Sequence, residues 1–149
     1  MAVEGASRAE APFGQFEQVR VTVRSAGGKV HSPCMLLART PETRGEGLRH
    51  VASPALHGYA GMVFAFDVDV TGSFSMVDTL IPLTVVFVDV SGRVQASRPM
   101  TPCPAGGTTC PTYPAPRPYR AAIEVPAGHA PALGLVRGSI VRVGGTCAP

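Results

Sequence analysis

Thr84-Val85-Val86-Phe87-Val88-Asp89-Val90, turned by Ser91-Gly92 into Arg93-Val94-Gln95-Ala96-Ser97, decides how this chain folds. A run that is nearly all apolar and bounded by a turn reads as a central strand covered on both faces, with its hairpin partner following. Working outward, Gln18 to Ser25 alternates apolar and polar side chains and reads as a half-buried strand. Ala26-Gly27-Gly28 turns it back into Lys29 to Leu37. Thr40-Pro41-Glu42 is a helix start, with Thr as N-cap, Pro at the first helical position and an acid in the first turn. Gly45 and Gly47 keep that helix short. Gly61 to Phe66, Ser73 to Met76, Tyr119 to Val125 and Ile140 to Val143 are further strands, with a turn over Asp67 to Gly72. Ala130 to Leu133 allows one helical turn, closed by Gly134. Residues 99 to 118 hold seven prolines and no periodicity, and so read as a functional or cross-linked loop. About eight short strands with one or two short helices predict a mainly β, single-domain closed barrel or sandwich. Residues 1–15 read as a disordered N-terminal arm, and 16–149 as the β-rich domain.

Composition agrees. The 149 residues carry 17 Gly and 15 Pro, a share that favours turns over long helices. With 45% hydrophobic residues and a net charge of +3, disorder of the whole chain is excluded. The most apolar stretch, Leu80 to Val88, contains Pro82 and is far below the roughly 20 residues of a membrane-spanning helix. The basic residues are scattered, without the cluster or interleaved aromatics that nucleic-acid binding needs.

Cysteines sit at 34, 103, 110 and 147, with no CxxC to suggest a zinc ribbon or a redox dithiol. Cys103 and Cys110 flank the flexible segment 104–109, and their spacing predicts a disulfide and an oxidising compartment. Cys34 and Cys147 either pair or leave Cys34 as a small buried hydrophobe. The start of the chain lacks the basic segment and apolar core of an export signal. Its small, polar character leans towards an extracytoplasmic protein with its signal trimmed, over a cytoplasmic one.

The candidate chemistry is sparse. His31 and Cys34, three apart on a strand, point to opposite faces and do not form a metal site together. His50 and His57 flank the loop after the short helix, in surface or capping positions. No G-x-S-x-G nucleophile turn is present. Asp67, Asp69 and Asp89 occupy the solvated turns and strand ends usual for acids. Asp78 interrupts the apolar run around Met76 and Leu80-Ile81-Pro82-Leu83, where an acid needs a partner. Arg44 on the short helix is the candidate. Glu124 interrupts Ala121-Ala122-Ile123 and Val125 in the same way. It lies on an exposed strand face, or bonds backbone amides of the Gly128 turn, or belongs to a site.

Several stretches resemble one family together. Thr40-Pro41-Glu42-Thr43-Arg44 with Gly47-Leu48 is similar to its "ER..GL" helix motif, and Gly61 to Phe66 to its "GMLFVF" strand. Phe74 to Leu83 resembles its signature "FWMKNTLIPLD", with Val86-Phe87-Val88-Asp89, Gly92 and Val94 following in register. Cys110-Pro111-Thr112-Tyr113-Pro114, Glu124 to Gly128 and Gly134-Leu135 complete the resemblance, which covers about residues 18 to 144. The family is the prokaryotic domain of unknown function 192. The resemblance implies a β-rich single domain, often exported, and no agreed activity. Ser75, Val77 and Asp78 stand where the family pattern has Trp, Lys and Asn, and Arg49 where it has Met.

Two functional readings follow. In the first, the chain is a non-catalytic extracytoplasmic binding or accessory domain for a small polar ligand. Arg44, Asp78, Thr79, Tyr113 and Glu124 would hold the ligand beneath a Pro-rich lid, with no cofactor and no metal. In the second, it is a hydrolase or isomerase with Asp78 or Glu124 as general base and Arg44 stabilising an anion.

Overall fold

Alternation along the strands builds two cores, one on each face of a single sheet. The computed structural model describes residues 3–104 and 109–147. Along the chain run β1 (Ser7–Arg8), β2 (Glu17–Arg24), β3 (Val30–His31), β4 (Cys34–Ala38), α1 (Pro41–Glu46) and β5 (Met62–Val70). They are followed by β6 (Phe74–Ser75), β7 (Leu83–Val88), β8 (Val94–Met100), β9 (Thr112–Tyr113), β10 (Tyr119–Pro126) and β11 (Ile140–Val143). Short 3₁₀ turns occupy Leu56–Gly58 and Pro131–Leu133.

The main path of the sheet is β1-β2-β4-β5-β10-β7-β8, with β3 and β11 also paired to β2, while β6 and β9 form a separate ribbon. The apolar run read as a central strand is β7, flanked by β10 and β8 and buried on both sides. Leu83, Val85 and Phe87 face one core, and Val86 and Val88 the other. β4 and β5 divide likewise: Leu36, Met62 and Phe64 on the first side, Leu37, Val63 and Ala65 on the second. Each of these side chains other than Ala65 contributes about 1.5–3 kcal/mol by leaving water.

The second core is enclosed because the sheet curls. An isolated bridge joins Arg93 to Ile140, and Val94 N donates to Ser139 O at 2.9 Å, bringing the β7–β8 turn against β11. The result is mainly β and sandwich-like, without a closed barrel of strands. The first core is roofed by the loop after α1, the β6–β9 ribbon and the N-terminal segment. There Ala9 and Phe13 are buried and β1 pairs with β2, so residues 3–15 are not the disordered arm that their lack of periodicity predicted. Phe13 meets Tyr59 edge-on at 6.2 Å between ring centroids. Isolated apolar residues, rather than a period, anchor this segment.

Other expectations shift locally. The single strand over 29–37 is interrupted at Ser32-Pro33, since proline donates no ladder hydrogen bond, and becomes β3 and β4. Asp67 and Asp69 lie within β5 rather than in a turn, and Asp69 bonds Arg120 at 3.0 Å on the neighbouring strand. The 99–118 stretch contains β9 and the end of β8, and of its predicted lid residues 105–108 lie outside the described residues. Both disulfides are formed, Cys103–Cys110 across 7 residues and Cys34–Cys147 across 113.

Candidate functional site

On the first face of the sheet, between α1 and β10, lies a cavity of about 490 Å³. Its wall begins at α1. Thr40 caps this helix reciprocally with Thr43: Thr43 N donates to Thr40 Oγ1 and Thr40 N to Thr43 Oγ1, both at 3.1 Å. Gly47 ends it with φ +51°, a left-handed conformation that favours glycine, and its Cα packs beside the Phe64 ring. The chain can then drop Leu48 into the core and leave Arg44 and Arg49 on the cavity wall.

Arg44 is held in place rather than waving in solvent. Its Nη1 donates to the carbonyls of Arg39 (2.7 Å) and Ala65 (3.1 Å), and its guanidinium carbon sits 4.8 Å from the centre of the Phe66 ring. These contacts occupy one nitrogen and one face of the plane, and among the described residues no hydrogen bond to Nε or Nη2 stands beside them. The ion pair expected with Asp78 gives way to these two carbonyls and the ring as the partners that position Arg44.

Glu124 is the unexpected member. β10 lies between β5 and β7, and the register sets Glu124 opposite Met62 on one side and Val85 on the other. Its neighbours Ile123 and Val125 face the second core, so alternation turns Glu124 onto the face of Ala122, towards the cavity. Only 4% of it is exposed, which corrects the exposed-strand reading. No side chain or backbone group among the described residues hydrogen-bonds its carboxyl. Burial in these apolar surroundings pushes its pKa up to about 8. The backbone comes this close to β5 only because residue 61 is glycine. A Cβ there would collide with the Glu124 carbonyl and sit 2.9 Å from Val125 Cγ1.

The remaining lining is aromatic and hydroxylic. Phe64 and Phe74 meet edge-on at 5.1 Å, and Phe66 and Tyr119 at 5.8 Å. The Tyr119 hydroxyl donates to Gly72 O at 2.5 Å, and burial raises its pKa. Thr79, 5% exposed, and Ser75 add hydroxyls. Arg49 and Ser75, two departures from the family-like pattern, both line the cavity.

Of the five residues singled out from sequence, Arg44, Thr79 and Glu124 therefore share one cavity, whereas Asp78 and Tyr113 do not line it. Asp78 adopts φ +57°, a left-handed conformation in which Asp and Asn are the favoured non-glycine residues. Its N–H donates to Cys103 O at 3.0 Å and its carbonyl accepts from His50 N at 2.9 Å, so the turn carries its own reason for an acid here. Tyr113 stands opposite Phe74 on the β6–β9 ribbon, with its hydroxyl accepting from Thr101 N at 3.2 Å. The four rings and Arg49 were missed. The alternation Phe64-Ala65-Phe66 was the signal for two of the rings.

A second depression, about 670 Å³, shares Glu46 and Arg49 and takes in His50 and His57, both in the left-handed region. Its polar lining is exposed throughout, without a buried polar group. Among the described residues no cluster of three or more His, Cys, Asp or Glu could hold a metal, and no helix of these residues is long and apolar enough to cross a membrane.

A family model described as an uncharacterized ACR, domain of unknown function 192, matches residues 21–143. Among solved structures, a protein of unknown function from Novosphingobium aromaticivorans DSM 12444 is 30% identical, with a TM-score of 0.75 over 95% of this chain and 96% of that one. A Sinorhizobium meliloti 1021 protein, labelled a candidate transcription regulator, is 23% identical. It superposes with a TM-score of 0.70 over 86% of this chain and 95% of that one, a likeness of fold alone. No curated protein matches the chain.

Proposed function

Since the chain belongs to the uncharacterised family of domain of unknown function 192, we propose its function from the site itself. It is a non-catalytic binding or accessory domain that takes a small polar ligand into the cavity between α1 and β10. The observation that carries this reading is Glu124: a carboxyl on a central strand, buried from bulk solvent yet on the wall of a cavity. Burial disfavours the charged carboxylate, and a ligand in the cavity that pairs with it offsets that cost. The positioned Arg44 guanidinium, the Thr79 hydroxyl and the aromatic wall complete a small-molecule site: mostly apolar, with a few convergent polar groups. In this reading Asp78 and Tyr113 do not touch the ligand. The two disulfides support an extracytoplasmic, oxidising location.

A second reading, a hydrolase or isomerase with Glu124 as general base, draws on the same raised pKa, which lies near the operating range of such a base. The binding reading is preferred because the carboxyl has neither a nucleophile nor an orienting group bonded to it among the described residues.

A thermal-shift screen of sugars, amino acids, organic acids and amines tests the proposal on wild type, Glu124→Gln and Arg44→Gln. A ligand that raises the wild-type melting temperature, and raises it less in both variants, is the expected result. No stabilising compound, or one whose effect both variants keep, overturns it. Turnover of a compound that vanishes in Glu124→Gln moves the assignment to the enzyme.

A further inference from the structure

Resting on the binding reading above, we propose that the ligand is a zwitterion with an apolar body, an ω-amino acid or short peptide, with its ammonium at Glu124, its carboxylate at Arg44 and its apolar part against the aromatic wall. The argument starts from charge. The cavity wall carries two arginines, Arg44 and Arg49, and two acids, Glu46 and Glu124, so it offers partners to a ligand of both signs rather than to an anion alone. These groups are not equivalent in depth. Arg44 is half-buried on α1, whereas Glu124 lies buried on the sheet floor.

Among the described residues no ion pair joins Glu124 to Arg44 or Arg49. The charged and titratable groups around Glu124 on the cavity wall are Arg44, Glu46, Arg49 and Tyr119, while β5 and β7 present Met62 and Val85 directly beside it. None of these groups is a cause of the Glu124 shift, which burial alone produces. A guanidinium in contact would pull a carboxyl the other way. A ligand can therefore pair with each separately, and the same wall carries Phe64, Phe66, Phe74 and Tyr119. Methylenes or a peptide side chain would lie against those rings.

An ammonium at Glu124 has a consequence that a sugar hydroxyl or a neutral acceptor lacks. In the empty cavity at pH 7 the carboxyl is mostly protonated, and it serves an ammonium as an ion, so binding expels its proton. From a pKa of about 8, the release is about 0.9 proton per ligand at pH 7.

The experiment is titration calorimetry at pH 7 in two buffers of different ionisation enthalpy, with 6-aminohexanoate, hexanoate and hexylamine as probes. The wild type should bind 6-aminohexanoate about tenfold or more tightly than either half-molecule and release close to one proton with it. Glu124→Gln, checked for folding by its melting transition, should bind 6-aminohexanoate no better than hexanoate and release no proton. Hexanoate binding as tightly as 6-aminohexanoate, or zwitterion binding without proton release, overturns the inference and leaves the binding reading in place. So does silence from all three probes where another compound of the screen stabilises the protein. If no compound of the screen stabilises it, the binding reading falls as well.

Discussion

Replacing Glu124 by Gln should flatten the pH dependence of stability, and the structure fixes both sign and size. The folded carboxyl titrates near 8, against 4.5 for its ordinary value. Between those pH values the folded state holds a proton that the unfolded state has released. Stability therefore falls as pH rises through this window, and the contribution is fully present only below about 4.5. Each unit of difference is worth about 1.36 kcal/mol, so 3.5 units amount to about 5 kcal/mol in all, of which about 3–4 kcal/mol is lost between pH 5 and 8. The group is buried, so solvent screening takes little from this figure. Asp89 and Tyr119, whose pKa values shift below 3.8 and above 10.0, titrate outside the window. Urea unfolding followed by circular dichroism at pH 5, 6, 7 and 8 reads the effect directly. The wild type should weaken steadily across the series and Glu124→Gln should lack that loss. A wild type of constant stability between pH 5 and 8, or a Gln variant with the same slope, would refute the buried, neutral carboxyl.

Two further outcomes follow from backbone and cross-links. Gly61→Ala should cost about 1–3 kcal/mol in unfolding free energy, because the added methyl meets the Glu124 carbonyl and Val125. An alanine variant as stable as wild type would show that β5 and β10 are not in the close contact described. Opening Cys34–Cys147, which closes 113 residues, should cost about 4–5 kcal/mol on the chain-entropy account, and opening Cys103–Cys110 across 7 residues about 2–3 kcal/mol. Melting curves of the two paired Cys→Ser variants give the order, and a larger loss from the short bridge would contradict it.

The sequence by itself determined the strands, because hydrophobic period is a local property. The run Thr84 to Val88 could only be covered on both faces, and it is. The helix start at Thr40-Pro41 was equally legible, since capping is decided within four residues. The short Cys103–Cys110 bridge followed from spacing, whereas Cys34–Cys147 stayed open until the fold carried the C-terminal segment back to β4. What only the tertiary structure decided is which interruptions of the apolar runs matter. Asp78 and Glu124 look alike in sequence, each a single acid among hydrophobic residues. Asp78 lies in a left-handed turn, where an Asp is favoured by the backbone alone. Glu124 falls in register between β5 and β7, where neither backbone nor neighbouring side chain accounts for it. Likewise Tyr119 shares its parity with Ala121, but the pairing of β10 with β5 shifts register between them. The ring thereby joins the face of Ala122 and the cavity. A register is set by long-range pairing of strands distant in the chain, which no local window of sequence contains.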